Sequence, residues 1–125
     1  MAKAKVNKLK GMKLYNYLCT IDRVIDGDTV DVIVDMGFYL KQTVRIRLLN
    51  VNTPERGEEE WSIATEALKD LIKQGEKVDK NFWLSTHKTG KFGRWLGSLQ
   101  SYDKGIAINL TMAERWPSRN SKWIE

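Results

Sequence analysis

One cysteine, one histidine and two prolines are spread over 125 residues, and each scarcity removes a class of explanation. A lone Cys19 forms no internal disulfide, and its place in an apolar segment reads as a buried thiol rather than a nucleophile. The single histidine, His87, lies in a loop-like stretch and reads as exposed rather than as a general acid or base. With no cluster of cysteine and histidine there is no zinc site, so any metal centre must be built from oxygen donors. No apolar run approaches the ~20 residues that span a bilayer. The opening MAKAKVNKLKGMK lacks the apolar segment of a signal peptide, so the expectation is a cytoplasmic protein that meets no membrane.

Acid is also missing where base is plentiful. Residues 1–13 hold Lys3, Lys5, Lys8, Lys10 and Lys13 and no acid, within a chain of net charge +5. Without those five lysines, 16 basic residues face 16 acidic ones. Such a leader is either a solvated terminus or a basic arm that touches a polyanion backbone. What remains, 42% hydrophobic and 30% charged, is an ordinary globular composition, sufficient for one core. The organisation expected is a flexible basic arm (1–13), one barrel domain (14–117) and a tail (118–125).

Along that domain, LYNYLCTIDRVID (Leu14–Asp26) reads as a strand. Thr29–Met36 follows, with Val30, Val32 and Val34 alternating against Asp31, Ile33 and Asp35. After a turn at Gly37 the alternation resumes over Thr43–Leu49, placing Val44, Ile46 and Leu48 on one face and Arg45 and Arg47 on the other. The period then changes. Trp61, Ala64, Leu68, Leu71 and Ile72 form a helical stripe within Gly57–Gln74. Glu58, Glu59 and Glu60 suit its first turn, Lys73 its last, and Gly75 its stop. Strand character returns at Lys77–Ser85 and at Arg94–Tyr102, around a loop Thr86–Gly93. A short helix over Ile106–Trp116 ends at Pro117. Three strands, a helix and two strands is the element order of a mainly β, five-stranded Greek-key barrel of the OB type, with a helix between strands 3 and 4 and a short C-terminal helix.

Four features carry possible chemistry, and each has an ordinary explanation. Asp26 and Asp28 flank Gly27; a turn accounts for them, yet two acids at that spacing also present oxygens to a hard cation. Arg45 and Arg47 are unexceptional on a polar strand face, but an arginine fork facing a cleft holds phosphate in two places. In Asn52-Thr53-Pro54-Glu55 the proline restrains Thr53, so Glu55 projects from a rigid turn as a general base would. Lys91-Phe92-Gly93-Arg94 is either a surface loop or a place where a base stacks and a phosphate is gripped.

Taken together and in order, IDGDTV, RIRLLNVNTPE and KFGRWLG, with a helix between the second and third, resemble the staphylococcal nuclease (thermonuclease) family over about Ile21–Trp116. That resemblance implies a calcium-dependent nuclease, with magnesium or manganese as alternatives, hydrolysing phosphodiester bonds of DNA and/or RNA. It implies single strands as preferred partner and a monomeric protein. By position in the motifs, Asp28 matches the first metal-ligand aspartate, with Asp26 the acid behind it. Thr53 matches the threonine whose main-chain carbonyl binds the metal. Arg47 and Arg94 match the two phosphate-binding arginines, Glu55 the general base, and Lys91 a substrate-contacting lysine. Two positions depart from the pattern. Asn52 stands where a second aspartate is usual, so its amide oxygen brings no charge to the metal. Phe92 replaces a tyrosine, keeping the stacking ring but losing a hydroxyl. The family's C-terminal helix and its stacking tyrosine are also expected to be missing. The rival functions are a non-catalytic OB-type module that holds single strands, and a barrel used only as a protein interaction platform.

Overall fold

Val30, Val32 and Val34 are buried, while Asp31 and Ile33 between them are half exposed; period-two alternation therefore sets which face of the sheet turns inward. The computed structural model describes residues 15–76, 81–89, 94–101, 106–117 and 119. Strands β1 (Asn16–Asp26), β2 (Thr29–Gly37) and β3 (Leu40–Leu48) form an antiparallel meander. Helix α1 (Trp61–Glu76) then precedes β4 (Phe82–Thr89), β5 (Trp95–Ser101) and helix α2 (Ile108–Arg115). β5 pairs parallel with β3 and antiparallel with β4, and β4 pairs with β1. The sheet closes as β1-β2-β3-β5-β4, the OB-type barrel expected from the element order.

Closure gives the inward residues a common interior. Val30, Val32, Ile46, Leu48, Phe82, Leu84 and Leu99 fill it, joined by Leu68, Leu71 and Ile72 of α1 and by Ile108 and Met112 of α2. Two register shifts in β1, between Ile21 and Arg23 and between Val24 and Asp26, bend that strand as bulges do. Cys19 is buried in the same core, and burial pushes its thiol up to about 12, which leaves it protonated and unreactive. Asn109 of α2 fastens the short β3–β5 junction: it accepts from the Leu99 N–H at 3.0 Å and donates to the carbonyls of Leu49 and Gly97 at 2.9 and 3.0 Å. No helix among the described residues is long and apolar enough to cross a membrane.

Several boundaries differ from the sequence reading, each for a local reason. Glu58, Glu59 and Glu60 precede α1 instead of forming its first turn. They build a turn in which the Glu58 carboxylate accepts the Glu55 N–H at 3.1 Å, while the Glu58 carbonyl accepts from Trp61 at 3.2 Å. Glu58 also pairs with Arg119. Trp61 is only half-buried and takes the Arg56 guanidinium over its ring at 5.2 Å. β4 runs on to Thr89, so His87 sits on a strand end rather than in a loop. Of the expected strand start, residues 77–80 lie outside the described residues, as does the basic arm.

Gly75 is no helix stop but part of α1, buried against β4. A Cβ there would stand 2.8 Å from Cε2 and 2.9 Å from Cζ of the fully buried Phe82. Alanine normally stabilises a helix over glycine by up to ~1 kcal/mol. Here Gly75→Ala should instead cost ~1–3 kcal/mol through overpacking, read as a lower urea midpoint with an unchanged slope.

Candidate functional site

The turn between β1 and β2 is the floor of the site, and its shape follows from Gly27. A Cβ at Gly27 would lie 2.6 Å from the Thr53 hydroxyl and 2.8 Å from the Ala64 Cβ, so only glycine lets Thr53 and α1 approach so closely. The turn then holds Asp28 inward, 8% exposed. Its main-chain N–H donates to the Asp26 carboxylate at 3.2 Å, and its carbonyl accepts the Leu48 N–H at 2.8 Å. The start of β2 is thereby pinned to the end of β3.

Three groups converge on the Asp28 carboxylate. The Thr29 hydroxyl donates to Oδ1 at 3.1 Å, and the Thr53 N–H donates to Oδ2 at 3.4 Å across 25 residues of chain. Arg47, paired with Thr29 in the β2–β3 ladder, brings Nη2 to 3.4 Å from Oδ2. Its Nη1 donates to the carbonyls of Leu48 and Val51 at 2.9 and 2.5 Å, which holds the following loop against the strand. Arg45, two residues earlier, is spent elsewhere. It grips Asp31 through Nε at 2.8 Å and Nη2 at 3.1 Å, and these bonds hold the Asp31 carboxyl below the usual range.

Thr53 and Pro54 are buried, whereas Asn52 and Glu55 are exposed. The loop therefore keeps its backbone inside and offers these two side chains to solvent. Arg94 is half-buried and immediately precedes β5. Gly97 and Leu99 face inward, so alternation carried back along the strand puts Arg94 on the outer face with Leu96, the register partner of Arg47. Lys91 and Phe92 lie outside the described residues. Sequence reasoning missed Gly27 and Thr29 as parts of the site. Both lie inside the IDGDTV motif, but Gly27 meets Thr53 and Ala64 only in the folded chain.

Charge in this site is unbalanced. Burial pushes the Asp28 carboxyl up from 3.8 to about 6; hydrogen bonding with Asp26 adds to the rise, and Arg47 opposes it. A carboxylate in such a setting gains from any added positive charge. The nearby donors, carboxylates of Asp26 and Asp28, the Thr53 carbonyl and the Asn52 amide, are all oxygens, the set a hard divalent cation takes. Among the described residues no group of three or more histidine, cysteine or acidic side chains gathers as a metal cluster. Of these oxygen donors only Asp26 and Asp28 carry charge, so the set is of the hard-cation type with a low ligand charge.

No family model matches the chain. Curated proteins do. "Protein ParB" of Escherichia coli is 32% identical over 95 residues, covering 76% of this chain and 44% of that protein. An uncharacterized endonuclease of Escherichia coli O157:H7 is 30% identical over 90 residues, 72% of this chain and 52% of its own length. A micrococcal nuclease of Shigella flexneri is 35% identical over 75 residues, 60% of this chain and 37% of that protein. The chain spans about half or less of the curated relatives it matches.

The raised Asp28 carboxyl has a stability consequence with a definite sign. Between pH 4 and 6 the native state binds more protons than the unfolded state, so stability falls as pH rises through that window. Asp28→Asn, measured in chelator, should abolish this slope and leave the variant more stable than the parent at pH 7, by on the order of 2 kcal/mol. Urea denaturation at several pH values reads the difference; parallel pH profiles for the two proteins would contradict it.

Proposed function

Since the chain is thermonuclease-like in sequence, we propose that it is a metal-dependent nuclease hydrolysing phosphodiester bonds of DNA and/or RNA. The observation that carries this reading is the convergence of Arg47 and Thr53, from two other segments of the chain, on the Asp28 carboxylate. A barrel used only as an interaction platform has no need of a buried acid paired with a half-buried arginine.

The division of labour follows from exposure and charge. Asp28, the Thr53 carbonyl and the Asn52 amide would hold the metal, calcium first among the candidates, with Asp26 behind Asp28. Bound there, a divalent cation neutralises the phosphate and polarises its oxygens. Arg47 is anchored through Nη1, and its other N–H groups supply preorganised donors for the scissile phosphate. Arg94, on the same outer face, adds a second cation where negative charge develops in the five-coordinate transition state. Glu55 projects beyond the buried Pro54 and takes a proton from the attacking water. Lys91 and Phe92 contact the strand beside the break.

Purified protein incubated with single-stranded DNA, with calcium, magnesium, manganese or chelator, tests this assignment. Cleavage should require metal, and Glu55→Gln and Arg94→Ala should each lower kcat by about 10²–10⁴-fold. Asn52 is the feature that favours the rival reading, since it leaves the site with less charge. Binding without cleavage under every metal would make the chain a single-strand-binding module instead. The charge argument has its own check. Asn52→Asp should tighten calcium binding in a titration, and an unchanged affinity would refute it.

A further inference from the structure

A cavity of about 740 Å³ opens at the end of the barrel away from α1 and shares no residue with the Asp28 site. Its floor is the barrel interior, Ile46 and Leu84, and its walls include Tyr15, Tyr17 and Trp95. Gln42 and His87 also line it, offering hydrogen-bonding groups but no negative charge. The volume is that of a small-ligand pocket, and the lining is apolar with a few polar groups, as such pockets require.

Among the described residues, the strand registers leave one side of the cavity without a paired strand. The β3–β5 ladder covers only Ile46, Arg47 and Leu48 of β3. The first half of β3, from Leu40 to Arg45, pairs with β2 alone among the described ladders. Trp95 begins β5 at this gap, opposite Ile46 and beside the end of β4. It faces inward like Gly97 and Leu99 yet stays 46% exposed, while its neighbour Arg94 turns to the outer face. One peptide unit thus separates the aromatic wall of the cavity from a cation of the proposed phosphate site.

Other features at this end agree. The β2–β3 hairpin stands above the rim at Met36 with Phe38 94% and Tyr39 fully exposed. Both take left-handed backbone, φ 55° and 63°, which is costly for aromatic residues and keeps their rings outward. Tyr15, on the rim, comes two residues after the last lysine of a stretch, residues 1–13, that contains five lysines and no acid. Aromatic faces joined to a run of positive charge are what binds single-stranded nucleic acid.

We propose that this mouth is a base-binding subsite, in which a strand held at Arg94 turns one unpaired base through the gap to stack on Trp95. A single strand delivers a base this way without the unpairing cost that a duplex carries, so the subsite makes the protein selective for unpaired substrate. This rests on the nuclease reading for its direction along the strand but not for its test, which measures binding in chelator, where nothing is cleaved. Fluorescence anisotropy of the full chain with a labelled oligothymidylate of about 12 nucleotides should show Trp95→Ala binding about ten-fold or more weaker. Trp95→Phe, which keeps a stacking face, should stay within about three-fold of the parent. Affinity for a blunt duplex of the same length should be unaffected by either change. An unchanged single-strand affinity in Trp95→Ala, an equal loss on the duplex, or Trp95-dependent capture of anionic vesicles in place of the oligonucleotide would each overturn the proposal. Trp95-dependent binding by a protein that shows no cleavage under any metal would keep the subsite and sink only the nuclease reading.

Discussion

Everything near the candidate site depends on a carboxylate that the fold has taken out of water. Asp28 would be cheaper to keep exposed, since burial and the neighbouring Asp26 both work against its charge. The chain compensates with a hydroxyl, a main-chain N–H and a guanidinium drawn from Thr29, Thr53 and Arg47. Those three contacts also decide where the loop after β3 lies. Thr53 approaches because Gly27 leaves room, and the loop's carbonyls at Leu48 and Val51 are held by the same arginine. The loop is therefore held twice, by the Asp28 carboxyl and by the arginine that spans its carbonyls.

That arrangement sets stability against function in a familiar way. A group whose ionisation is opposed by its surroundings destabilises the ionised native state, and sites of chemistry are where such groups collect. Arg45 shows the contrast on the same strand. It is fully engaged with Asp31 on the barrel surface and relieves a charge rather than leaving one short. Two arginines of identical type and strand face thus have different roles, separated by which acid the neighbouring strand places opposite them.

The two ends of the barrel are organised by different forces. At the α1 end, apolar residues from both helices plug the interior and the acids sit at the perimeter. At the other end no helix among the described residues covers the interior, and the β3–β5 ladder has three pairs. An uncovered barrel interior is apolar by construction, so aromatic side chains at its rim face both that interior and solvent. Tyr15, the first described residue, lies at this same end.

Much of this was legible in the residues themselves. Alternation at Val30–Val34 and Val44–Leu48 needs only local sterics and burial, so the strands and their inward faces were readable directly. The motif order around Asp28, Arg47 and Thr53 was enough to name a resemblance to a nuclease family. Boundaries set by long-range partners were not readable. The Glu58–Glu60 run looked like a helix start because its bonds to Glu55 and Arg119 depend on the folded turn. Gly75 looked like a stop because nothing near it announces the ring of Phe82. The sequence by itself determined the periods, the charges and the candidate groups, which are properties of neighbours in the chain. Only the tertiary structure decided that Arg47 rather than Arg45 meets Asp28, that Thr53 reaches across 25 residues to it, and that β5 pairs with only the last part of β3. Those are consequences of strand register and barrel closure, which no local stretch encodes.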